Sequence, residues 1–160
     1  MNQLRVRDLM TTQVITVRPT DTVKQAVIKM AIDNIAAVPV TDNRSHVVGL
    51  LSQTDVLALI LKYQNMLDKA PEHGHLLSMP MDDKAPNAEV DQYNREISGT
   101  KVEEIMTHTI ITTTPDAEIV EALRAMLDAN INRLPVLEKG VLIGTISRAD
   151  ILFYIYKRKV

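Results

Sequence analysis

The sequence predicts an α/β fold: two β-α-β-β-α repeats packed as a pseudo-two-fold pair. Three observations lead there. The chain of 160 residues repeats itself, because a shift of 96 lays residues 6–40 on residues 102–136 with 12 of 35 pairs identical. One deletion later the shift is 95, and "GLLSQTDVLAL" (49–59) falls on "GTISRADILFY" (144–154). Each copy mixes short β-branched runs with stretches of helical spacing. A three-stranded sheet with one helical face is too small to bury its apolar side alone, so two copies are expected to pack face to face.

The elements follow in order. Residues 6–10 and 102–106 read as one short helical turn each. "VITV" (14–17) and "IITT" (110–113) are β-branched and read as a first strand, which Pro19 and Pro115 end. A helix over 22–34 places Val23, Ala26, Val27 and Met30 on one face, and its partner places Ile119, Ala122, Leu123 and Met126 there. "AAVPV" (36–40) and "RLPVL" (133–137) read as a second strand, in which Pro39 and Pro135 signal an unpaired edge or a bulge. "HVVGLLS" (46–52) and "VLIGTIS" (141–147) read as a third strand, and a last helix starts at each Ser-x-x-Asp. The repeats thus occupy 1–61 and 102–160. The stretch 62–101 carries three prolines and reads as an irregular insert with a short helix around 93–97. The terminal "KRKV" reads as a solvated tail.

Composition narrows the function. A formal net charge of −2 leaves no electrostatic footprint for nucleic acid. Aromatic residues make up 3% of the chain, too few for a base-stacking platform. The absence of cysteine excludes disulfides, thiolate metal sites and cysteine nucleophiles, and it suits a cytoplasmic location. No apolar run approaches the roughly 20 residues of a membrane span. The "HGH" of His73 and His75 has no metal-site spacing around it. No Walker loop or nucleophile motif is present, so neither an enzyme nor a bound cofactor is expected.

The Ser-x-x-Asp pair remains. At a helix start it resembles a capping box, whose strict form ends in Glu or Gln. It also suits a nucleoside. The carboxylate of Asp55 offers two acceptors to a ribose diol, and the Ser52 and Thr54 hydroxyls with the helix N–H groups offer donors to a phosphate. The two readings are compatible. In the second copy Ser147 and Asp150 persist, Ala149 replaces the threonine, and Arg148 points to solvent or supplies a charge in its place.

"LMTTQVITVRP", "NIAAVPV" and "GLLSQTD", with "IMTHTIITTTP", "NINRLPV" and "GTISRAD", resemble the tandem cystathionine-β-synthase (CBS) domain pair, or Bateman module. The resemblance covers the chain outside the insert. It implies a regulatory module that senses adenosine-containing ligands (AMP, ADP, ATP or S-adenosylmethionine) in two clefts between the repeats and passes that state to an unidentified protein target. "SQTD" fits the family's ligand motif. The resemblance further implies that Thr11 and Thr107, leading into the first strands, line the cleft of the opposite copy. Val14, Ile15, Ile110 and Ile111 would touch the purine, and Arg133 the phosphate, or alternatively serve as strand core and surface charge. Apolar residues on several faces of the helices at 56–61 and 151–156 point to a second copy of the chain, hence a homodimer. A nucleotide-free dimerisation or scaffold module is the alternative.

Overall fold

The internal repeat reappears as two copies of one element order. The computed structural model describes residues 3–69, 74–81, 83–85 and 87–157; His73 and residues 158–160 of the tail lie outside these. The first copy runs α1 (Val6–Leu9), α2 (Val23–Ile32), β1 (Ala37–Thr41), β2 (Val47–Ser52) and α3 (Gln53–Asp68). A 3₁₀ turn (Leu76–Ser78) and α4 (Ala88–Gly99) follow. The second copy runs α5 (Val102–Ile105), α6 (Ile119–Asp128), β3 (Arg133–Glu138), β4 (Val141–Ser147) and α7 (Arg148–Lys157). Strands β1 and β2 form one two-stranded sheet, β3 and β4 another. The β3–β4 pairing is antiparallel, and its register shifts after Val136.

Local sequence explains why α2 and α6 stop where they do. Asn34 and Asn130 adopt left-handed conformations, with φ of 51° and 53°. Asparagine tolerates that region better than most residues. The chain then folds back, with Ile35 N–H donating to Met30 O at 3.0 Å and Ile131 N–H donating to Met126 O at 2.9 Å. That is the Schellman pattern, and it satisfies carbonyls the helix leaves free.

The expected first strands do not form as strands. Each shrinks to a single parallel bridge, Val17 to Val40 and Thr113 to Val136. Val17 N–H donates to Pro39 O at 3.1 Å, and Val17 O accepts from Thr41 N–H at 3.0 Å; Thr113 repeats this with Pro135 and Leu137 at 3.0 and 2.9 Å. In a parallel ladder the next rung upstream needs an N–H from residue 39, and the next downstream needs one from residue 19. Both are proline, as are 135 and 115, and proline has no N–H to give. The β-branched run is therefore extended but unpaired on either side of one rung.

By contacts the chain divides into two units. One contains the described residues of Met1–Ile15, Asp42–Val47 and Thr109–Val160, the other Thr16–Thr41 and Val48–His108. We call them the α6–α7 unit and the α2–α3 unit. Each takes its short helical turn from the other repeat. In the α6–α7 unit, Val6 N–H donates to Ala117 O at 2.9 Å, and Ile119 N–H donates to Leu4 O at 3.0 Å. Val6 joins a core of Ile119, Met126, Leu134, Ile146 and Ile151. In the α2–α3 unit, Val102 N–H donates to Asp21 O at 2.8 Å, and Val23 N–H donates to Thr100 O at 2.8 Å.

Among its described residues the insert contains the helix expected around 93–97 and is more ordered than expected elsewhere. Helix α3 continues to Asp68, and α4 covers twelve residues. Leu67, Leu76, Ala85, Val90 and Ile97 form a buried cluster, with Ile60, Tyr63 and Tyr93 packed against it. Val90, Tyr93, Asn94 and Ile97 are spaced as one helical face, and the Asn87 side chain caps the helix by accepting from Glu89 N–H at 2.9 Å. The Gln64 side chain ties the turn to α3, accepting from Leu76 N–H and donating to Gly74 O, both at 2.9 Å. Asn94 sits in this region 1% exposed, with neither Nδ2 nor Oδ1 hydrogen-bonded.

Candidate functional site

In the α2–α3 unit, β2 ends at Ser52 and α3 starts one residue on. Ser52 Oγ accepts from Asp55 N–H at 3.2 Å, and Asp55 Oδ2 accepts from Ser52 N–H at 2.9 Å. The capping box is thus fully formed, with Asp in place of Glu. It also fixes the carboxylate. Oδ2 is turned to the backbone while Oδ1 faces the hydroxyl of Thr107, whose Oγ1 lies 3.4 Å away. Thr107 comes from the second repeat. It is held by a bridge to β2, with Thr107 N–H donating to Leu50 O at 2.8 Å and Leu50 N–H donating to Thr107 O at 2.9 Å. Thr54 is exposed in the first turn of α3. Ser52, Thr54, Asp55 and Thr107 therefore share one unit, drawn from both repeats, and combine a carboxylate oxygen with three hydroxyls at a helix N-terminus.

The α6–α7 unit holds the counterpart. Ser147 N–H donates to Asp150 Oδ2 at 2.9 Å, and Asp150 N–H donates to Ser147 Oγ at 3.1 Å. Thr11 and Thr145 exchange backbone bonds, each 2.9 Å. Arg133 Nη1 donates to Thr145 Oγ1 at 3.1 Å. Arg148 is turned neither to solvent nor to a missing hydroxyl. Its Nε donates to Ile131 O at 3.0 Å and its Nη2 to Met126 O at 3.3 Å. A cation on the carbonyls at the end of α6 also answers the helix dipole. Val14, Ile15 and Ile110 are half-buried in this unit, and Ile111 is 44% exposed.

Sequence reasoning missed Thr145, which carries both the Thr11 bridge and the Arg133 contact. The one visible signal was Thr145 replacing Leu50 between two otherwise matching motifs. It also gave no part to the glycine three residues before each motif serine, Gly49 in β2 and Gly144 in β4. A groove of about 220 Å³ in the α2–α3 unit is lined by Val23, Val27, Val56, Ile60, Met81 and Ile97 and does not include Ser52, Thr54 or Asp55. Among the described residues no cluster of three metal-ligating side chains occurs, and no helix is long and apolar enough to cross a membrane.

Comparison with known proteins places this geometry. The CBS domain family matches at residues 6–62 and 102–157. The chain is 30% identical over 122 residues to the uncharacterized protein MJ1426 of Methanocaldococcus jannaschii, covering 75% of this chain and 73% of that one. It is 30% identical over 140 residues to inosine-5′-monophosphate dehydrogenase of the same organism, covering 87% of this chain and 21% of the dehydrogenase. Its fold is similar to CBSX2 in complex with AMP (TM-score 0.70, 23% identity, covering 98% of this chain and 99% of that one). It is also similar to the CBS domain pair of MJ0100 in complex with 5′-methylthioadenosine and S-adenosyl-L-methionine (TM-score 0.67, 21% identity, covering 99% and 100%). With both repeats matched, the chain belongs to the CBS domain family, as a tandem pair.

Proposed function

We propose that this chain is a regulatory module without catalysis of its own, which binds an adenosine-containing ligand of the AMP, ADP or ATP class at Ser52, Thr54, Asp55 and Thr107. The observation that carries the reading is the Asp55 carboxylate. Its capping bond orients it, yet Oδ1 faces only the Thr107 hydroxyl at 3.4 Å. A ribose diol finds its acceptor there, and Ser52, Thr54 and the start of α3 offer donors to a phosphate. The ligands named for CBSX2 and MJ0100 are AMP, 5′-methylthioadenosine and S-adenosylmethionine, which share the adenosine group. In the α6–α7 unit, Ser147, Asp150 and Thr11 make a second, weaker site. There Arg133 partners a phosphate, and Val14, Ile15, Ile110 and Ile111 provide purine contacts. Arg148 adds little to it, because carbonyls already hold its guanidinium.

A thermal-shift series with AMP, ADP, ATP and S-adenosylmethionine tests this. A ligand at about 100 times its Kd should add roughly 2.7 kcal/mol of stability. A response to S-adenosylmethionine alone would make the module a sensor of that compound. No response to any of the four would leave the scaffold reading in its place.

We further propose that the module works as a homodimer that passes ligand state to a protein target. Helix α3 leaves Leu57 and Leu61 59% and 60% exposed, and the equivalent positions of α7, Leu152 and Tyr156, are 52% and 66% exposed. One apolar face recurring on two equivalent helices suits a self-complementary contact. Sedimentation velocity at micromolar concentration should show a dimer that Leu57→Asp with Leu152→Asp dissociates. A monomeric wild type would remove the argument.

A further inference from the structure

Thr107 can face Asp55 only if its segment lies close against β2, and the closest approach occurs one residue earlier on each side. A Cβ built on Gly49 would stand 2.4 Å from Met106 Sδ and 2.9 Å from Met106 Cγ. The methyl tip, Cε, is farther away, at 3.2 Å. The contact therefore falls on the middle of the methionine side chain, and turning its terminal methyl would not relieve a clash. The segment has little slack. Val102, four residues before Met106, is fully buried and bonded to Asp21, and the Leu50–Thr107 bridge begins one residue after it. The arrangement occurs twice: a Cβ on Gly144 would stand 3.2 Å from Met10 Sδ and 2.8 Å from the Thr11 carbonyl oxygen. Both motif strands thus carry a bare Cα where the methionine of the other repeat's helical turn lies across them.

We propose that Gly49 is a positioning residue for the ligand site: its missing side chain leaves room for Met106, so that the Leu50–Thr107 bridge can close and hold the Thr107 hydroxyl beside Asp55. Gly49 touches no ligand and acts through Met106. The role in binding rests on the adenosine reading above; the positioning itself can be measured without ligand.

The experiment compares Gly49→Ala, Met106→Ala and the double variant with wild type, using calorimetric titration with AMP and amide hydrogen exchange of Thr107. Gly49→Ala should weaken AMP binding about tenfold and speed exchange of the Thr107 N–H, whose bond to Leu50 O loosens. Adding Met106→Ala removes the clashing atoms and should restore both. Wild-type exchange in Gly49→Ala, or failure of the double variant to restore protection, would overturn the proposal. If Gly49→Ala does not fold, the double variant decides: a folded, Thr107-protected protein supports positioning through Met106, and an unfolded one refutes it. If wild type binds no AMP, the exchange arm still tests the placement of Thr107, while the functional reading falls separately to the ligand series.

Discussion

Asp55→Ala is expected to lower the affinity of the first site for its adenosine ligand at least tenfold. The substitution removes the acceptor for two ribose hydroxyls. Hydrogen bonds with one charged partner are worth about 1.5–3 kcal/mol each, and about 1.4 kcal/mol is a factor of ten. The alanine also removes half of a capping box, the 2.9 Å bond from Ser52 N–H. That loss costs about 1 kcal/mol of stability whether or not ligand binds. Asp150→Ala supplies the control. It breaks an equivalent 2.9 Å bond, from Ser147 N–H, in the other unit. Both variants should therefore lose similar stability in the ligand-free state, and only Asp55→Ala should lose the tight binding phase in calorimetry. Equal affinity of wild type and Asp55→Ala would reduce Asp55 to a helix cap.

Asn94→Leu is expected to stabilise the protein by about 2 kcal/mol. A buried amide without partners carries a desolvation cost of about 1–3 kcal/mol. Asn94 is 1% exposed, and both of its polar atoms are unpaired. Leucine has a similar size, packs with the neighbouring Val90 and Ile97 on α4, and is the better helix former. For a chain of this length the gain corresponds to roughly 4–8 °C in Tm, measured by thermal scan. A lower Tm would show that the amide is satisfied in solution and that the polar group supports α4.

Much of this structure was legible because its signals are local. The duplicated Ser-x-x-Asp motifs gave two helix starts, and both carry the box. The α2 and α6 faces followed from Val23, Ala26 and Met30 and their partners, all buried. The first strands were misread for a reason that is not local. The run at 14–17 is strand-like by itself, but its ladder depends on N–H groups at 39 and 19, and the pairing that makes those prolines decisive is invisible until the fold is known. The insert was read in part. A short helix around 93–97 was expected and lies within α4, but three prolines and several acids hid the helix's full length and the continuation of α3 to Asp68. The meeting of Thr107 with Asp55 came from family resemblance, since no pattern of residues links positions 52 apart.

The exchanged helical turns have a consequence for synthesis. The α2–α3 unit is complete, apart from the turn at residues 42–47, within residues 16–108. It can close while the ribosome still holds the rest of the chain. The α6–α7 unit draws on segments more than 100 residues apart, because Val6 donates to Ala117 and Leu4 accepts from Ile119. Such distant partners close slowly. Residues 4–11 must therefore wait for partners at 115–145, whereas the α2–α3 unit finds nearly all of its partners within residues 16–108.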